Sequence, residues 1–218
     1  MQKMMFNDQY GLTEALLDGR KYQTRRICKV QRPSDEWRIV LPISEHLIKP
    51  ECLPNAYAWR NDKTEEYTDW CVPRYKVGEV VAISQSYRTV GNEMIHKDLD
   101  FNLYKNFRDT FIHKSNKGWD NKMFVRADLM PHQIQITKIR LERLQDISDE
   151  DCIAEGIMKG DFSNTWDKYY YNVIGDCICH KTFKTPKEAF ASLIDKVSGK
   201  GTWKSNPYVF VYEFKLIE

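Results

Sequence analysis

No window of the sequence approaches the roughly 18 consecutive apolar residues that a membrane-spanning helix needs, and the opening MQKMMFNDQYG lacks the apolar core of a signal peptide. A cytoplasmic protein without a membrane partner is therefore expected. Charge of one sign is also missing: 33 Lys and Arg against 31 Asp and Glu leave a formal net charge of +2, so nothing global demands a polyanion and any basic function must be local. No internal repeat or low-complexity tract is found. The six cysteines (Cys28, Cys52, Cys71, Cys152, Cys177 and Cys179) are too scattered for a disulfide framework and read as reduced thiols. Carboxylates at metal-ligand spacing are absent too, so neither a metal nor a cofactor is expected.

What is present suffices for a packed core: 42% hydrophobic and 13% aromatic residues in 218. Leu12, Ala15 and Leu16 in GLTEALLD recur at helical spacing, and Gly19 follows where a helix-terminating glycine belongs. YKVGEVVAISQSY reads as a turn feeding a buried strand that Tyr87 ends. QIQITKIRLERL, residues 133 to 144, alternates cleanly at Ile134 and Ile136, then shifts before Ile139 and Leu141, as one long strand or two joined ones. ISDEDCIAEGI offers Ser148 as N-cap, three acids in the first turn and Gly156 as the stop of a short helix. TPKEAFASLIDKVSG repeats that logic with Thr185, Pro186 and Glu188, and the closing YVFVYEF is a strand by composition. Polar segments at about 31–74, 88–124 and 158–184 are too long for ordinary connections and read as insertions into a single domain over residues 1–218. Helices mixed with mainly antiparallel strands argue for an α+β, barrel-like fold.

The most informative stretch is DGRKYQTRR, residues 18 to 26. Residues 19 to 34 contain Arg20, Lys21, Arg25, Arg26, Lys29 and Arg32 and no acid, a segregation that suits a polyanion gripped by arginine forks. A phosphate patch does not require Thr24. A threonine hydroxyl is a weak nucleophile until a base removes its proton, and Lys21 is the base at hand. An ordinary lysine, with pKa near 10.4, is protonated at neutral pH; lowering it to about 7 costs roughly 4.6 kcal/mol, and burial beside other cations pushes that way.

Gly19-x-Lys21-x-x-Thr24-x-Arg26, followed by YKVGEVV, ERLQDISDEDCIAEGI and GTWKSNPYVFVYEF in that order, resembles the ASCH domains, small β-barrel modules of the PUA-like superfamily, and in particular the larger phage and prophage members. Threonine stands where many members carry glutamate. The resemblance implies a PUA-like barrel, an RNA or modified-nucleoside partner and, through the threonine version of the signature, similarity to amidohydrolases that remove acetate from N4-acetylcytidine. By motif position it implies Lys21, Thr24 and Glu155 as the catalytic set, with Glu150 or Asp151 as the alternative third member. Gly19, Arg20, Arg25, Arg26 and Tyr87 are the implied substrate-binding residues. A non-catalytic RNA-binding module and a ribonuclease are the competing readings. An ion pair between Lys21 and Glu155 that merely fixes the first helix to the barrel is the plain structural one.

Aromatics matter because unstacked bases are held by stacking. Tyr57, Trp59, Tyr67 and Trp70 enrich the first insertion, and Trp166 with Tyr169, Tyr170 and Tyr171 the third. Cys177-x-Cys179-His180, with Cys52 and Cys71 as distant partners, has poor spacing for structural zinc. His46, His96, His113 and His132 show no ligand spacing.

Overall fold

The computed structural model describes residues 1–41, 55–96, 120–160, 168–171 and 182–217. Its nine strands are β1 (Gln2–Met5), β2 (Gln23–Ile27), β3 (Trp37–Val40), β4 (Ala58–Asn61), β5 (Val80–Ser84), β6 (Gln133–Arg143), β7 (Met158–Lys159), β8 (Tyr169–Tyr170) and β9 (Tyr208–Ile217). The helices are α1 (Leu12–Leu17), α2 (Tyr87–His96), α3 (Asp149–Ala154), α4 (Pro186–Ser198) and α5 (Thr202–Ser205). Five strands form one sheet in the order β1-β5-β6-β9-β2, and β3-β4 and β7-β8 form two-stranded ribbons. The α+β class therefore holds. No closed barrel is found among the described residues.

Two compact units divide the chain. The first comprises Met1–Phe6, Val80–Gln135 and Leu216–Glu218. In it β1 lies parallel to β5, and β5 antiparallel to the start of β6. Its core gathers Ala82, Tyr87, Val90, Val125 and Met130. Tyr87 opens α2 rather than ending a strand, because β5 already stops at Ser84. Its buried hydroxyl accepts from the Arg126 N–H at 2.9 Å. Within its own unit Tyr87 is thus a core residue, not an exposed stacking platform.

The second unit, Asn7–Glu79 and Ile136–Lys215, carries α1, α3, α4, α5, both ribbons and the pairing of β2 with β9. Its helix ends follow the local chemistry. Ser148 Oγ accepts from the Asp151 N–H at 3.1 Å and Thr185 Oγ1 from the Glu188 N–H at 3.1 Å, each satisfying a donor that a helix start leaves unpaired. Glu188 reaches back to the Lys184 N–H rather than to its own cap residue, so the capping box is closed one position early. Gly19 and Gly156 sit at φ of 74° and 106°, the region glycine favours. At Gly156 space is limited as well: an added Cβ would lie 3.3 Å from Leu12 Cδ2 and 3.8 Å from Lys21 Cδ. Part of the stretch read as the first insertion is the β3-β4 ribbon.

Candidate active site

Strand β2 organises the site. Thr24, Arg25 and Arg26 are in register with Tyr212, Val211 and Phe210 of β9. Side chains alternate along a strand and opposed residues share a face, so β2 presents two different surfaces. Gln23 and Arg25 face one way, Thr24 and Arg26 the other.

The Gln23–Arg25 face is a buried charge network. Arg25 has a side chain only 1% exposed and binds Glu142 at 2.6 Å, Asp151 at 2.6 Å and Glu155 at 3.0 Å. Arg140 adds ion pairs to Asp151, Glu213 and Glu142. Gln23 joins in, its Nε2 donating to the Asp151 carbonyl at 2.9 Å. Burial works to lower the proton affinity of Arg25, but Glu155 and Glu142 overcome it and hold the guanidinium above its ordinary value. Burial likewise works to raise the Asp151 carboxyl, and the hydrogen bonds from Arg25 and Gln23 win, holding it below the usual carboxylate range. Arg25 is thus committed inside the protein, which corrects the expectation of a phosphate-gripping arginine: acids distant in sequence occupy its fork.

The opposite face is aromatic and cationic. Tyr212 packs edge-on to Tyr75 with ring centroids 5.3 Å apart, and its hydroxyl accepts from the Arg74 N–H at 3.0 Å. The Arg74 guanidinium lies 5.5 Å from the Tyr75 ring centre. Burial pushes the Tyr212 hydroxyl up to about 12 and raises Tyr75 too. Arg26 is half-buried as a whole; burial of its guanidinium end lowers it from its ordinary value, against Tyr75, Glu155 and Tyr212. Thr24 is buried, and no described residue hydrogen-bonds its hydroxyl.

Glu155 links the Arg25 network to Lys21. It sits at the C-terminal end of α3, where its N–H closes on Asp151 O and Cys152 O, and the Tyr22 N–H donates to Ala154 O at 3.2 Å just before β2 begins. Its Oε1 takes Arg25 and its Oε2 takes Lys21 Nζ at 2.7 Å. Lys21 is buried, and the same amine donates to the main-chain oxygens of Glu155 at 2.8 Å and of Gln23 at 2.9 Å, the latter being the residue before Thr24. Burial holds the amine below the ordinary lysine value, with Arg26 and Arg25 pushing the same way and Glu155 opposing. Of the three acids weighed for this position, Glu155 is the one that bonds Lys21; Asp151 serves Arg25 and Arg140.

Glu150 lines a separate cavity of about 670 Å³, together with Arg20, Ile153, Lys159, Tyr169 and Tyr170. Arg20, exposed and paired with Asp18 at 2.9 Å, stands in its wall, whereas the signature residues Gly19, Lys21, Thr24 and Arg26 do not line it. Gly19 serves as the turn that ends α1, its N–H donating to Leu16 O. The Cys177-x-Cys179-His180 motif, Cys52, His46, His113 and Trp166 lie outside the described residues.

Sequence reasoning missed Arg74, Tyr75, Tyr212, Glu142 and Arg140. A signal for Tyr212 was there: the i, i+2 repeat Tyr208, Phe210, Tyr212, Phe214 sets four aromatics on one face of β9. No family model, no curated protein and no solved structure matches the chain.

Proposed function

We propose that the chain is a nucleoside-binding protein of the ASCH type that hydrolyses the amide of an N4-acetylcytidine-like acylated base, with Thr24 as nucleophile, Lys21 as base and Glu155 as acid and base. The observation that supports this reading most is the Lys21 amine. It is buried, held below its ordinary value, bonded to Glu155 and set against the peptide that precedes Thr24. Once Lys21 has passed one proton to the Glu155 carboxylate it bonds, its amine takes the Thr24 proton as the hydroxyl attacks the acetyl carbon. The resulting ammonium or the Glu155 acid then protonates the departing ring amine, and water releases acetate from Thr24.

Incubating the protein with N4-acetylcytidine and following cytidine release tests this. The wild type releases cytidine, whereas Thr24→Ala and Lys21→Ala do not; turnover unchanged in both variants would remove the catalytic assignment.

One observation favours a second reading, an RNA-binding module without chemistry. The cavity lined by Arg20, Lys159, Tyr169 and Tyr170 offers cations and rings together. On that reading RNA affinity is salt-dependent and falls when Arg20 and Lys159 are replaced, while Thr24→Ala leaves it unchanged.

A further inference from the structure

Lys21 and Arg25 stand on the two oxygens of one buried carboxylate. Glu155 Oε2 takes the Lys21 amine at 2.7 Å and Oε1 takes Arg25 Nη1 at 3.0 Å, and all three side chains are almost closed to water. The rest of the Arg25 fork is spent elsewhere: Nε and Nη2 donate to Glu142 Oε1 at 2.9 and 2.6 Å, and Nη2 also to Asp151 Oδ2 at 2.6 Å. The bond to Glu155 is thus the longest that Arg25 makes, and other acids meet most of its charge. Glu142 comes from β6, gives its second oxygen to Arg140 Nε at 3.0 Å, and bonds neither Lys21 nor Glu155. It reaches the pair only through Arg25. Other charges face the pair as well. Burial lowers the hold of Lys21 on its proton, Glu155 opposes it, and Arg26 and Arg25 from β2 add to the burial. Arg140 holds Asp151 and Glu213, and the buried Cys152 thiol lies on α3 itself.

We propose that Arg25 and Glu142 are positioning residues that set how firmly Lys21 and Glu155 hold their protons, Arg25 by standing on the Glu155 carboxylate and Glu142 by standing on Arg25. A cation beside a water-excluded pair lowers the hold of both members on protons, and an anion raises it. Arg25 therefore makes Lys21 the readier base, and Glu142 limits that effect by meeting part of the Arg25 charge. Lys21 alone would neutralise Glu155, so the second cation alters the charge of the pair rather than merely closing the network. Asp151 shares the task of Glu142 but sits on α3 with Glu155, which makes Glu142, on another element, the cleaner probe. The catalytic meaning of this coupling rests on Lys21 serving as the base for Thr24. The coupling itself does not.

The test follows the Lys21 side-chain nitrogen by NMR across pH in full-length protein with isotope-labelled lysine, the signal being assigned by its loss in Lys21→Met. The pH profile of cytidine release from N4-acetylcytidine is recorded beside it. In Arg25→Gln the Lys21 titration moves up by about one pH unit, and in Glu142→Gln it moves down by a smaller step. Arg25→Lys, which keeps the charge and loses the fork, brings it back towards the wild type. The profile of release shifts in the same directions, in kcat rather than KM. A network that only fastens helix to strand would lower the unfolding midpoint in both Gln variants and leave the titration in place. Should Arg25→Gln fail to fold, Glu142→Gln decides alone. A Lys21 titration that is unmoved or raised in Glu142→Gln overturns the proposal. Opposite shifts in the two variants without cytidine release by the wild type uphold the coupling and remove the catalytic reading.

Discussion

The two faces of strand β2 are built from adjacent residues and differ in almost every physical respect. On one face Arg25 is enclosed by Glu142, Asp151 and Glu155, with Arg140 completing the network. On the other, Thr24 lies buried beside Arg26, Tyr212 and Tyr75, its hydroxyl bonded to no described residue. Satisfied buried charges hold a structure in one arrangement and leave little capacity for a ligand. An unspent hydroxyl does the reverse. One Glu155 oxygen takes Arg25 and the other Lys21, so the network that fixes the helix also orients the acid beside Lys21.

The largest expected effect falls on the charged face. Arg25→Ala takes the shared cation from three buried or half-buried carboxylates, leaving Glu142 and Asp151 to Arg140 and Glu155 to Lys21, and should cost about 3–5 kcal/mol, read as a lower urea midpoint. An unshifted midpoint in Arg25→Ala would dissolve the contrast between the faces. Next comes Gly156→Ala, which must hold φ near 106° with a Cβ 3.3 Å from Leu12; a loss of about 1–3 kcal/mol in thermal unfolding is expected.

Acid and alkali probe the faces separately. Asp151 titrates lower in the folded chain than in the unfolded one, so its contribution is complete above the ordinary carboxylate pKa near 3.9 and disappears as pH falls through the depressed folded value. Replacing Asp151 by Asn should flatten that acid limb. Lys21 has the same sense at the alkaline end: its folded value lies below the ordinary 10.4, so the unfolded chain binds more protons and stability rises with pH as it approaches 10.4. Urea midpoints between pH 8 and 10 should climb in the wild type and climb less in Lys21→Met. The smallest effect on stability is expected at Thr24→Val, under about 1 kcal/mol, since the branched shape is kept and no hydrogen bond between described residues is lost.

The sequence carried the local elements well. Caps at Ser148 and Thr185, the turns at Gly19 and Gly156 and the shift in β6 between Ile136 and Ile139 follow from rules that act over a few residues. It also brought Lys21 and Glu155 together across 134 positions, through motif order rather than periodicity. Charge misled it. Six cations and no acid between residues 19 and 34 suggest a patch open to a polyanion, yet Arg20, Lys21, Arg25 and Arg32 all meet acids in space, each with a partner outside that stretch. Linear segregation says nothing of which strands and helices pack opposite. Tyr212 and Tyr75 escaped notice for the same reason: each reads as core until its neighbours are known.

The central proposal, that the face carrying Thr24 acts while the face carrying Arg25 holds, is tested most directly by cytidine release from N4-acetylcytidine in wild type and Thr24→Val at matched folded fraction. The account predicts release by the wild type and none by the variant, with nearly equal melting temperatures. Equal release by both, or none by the wild type, would contradict it.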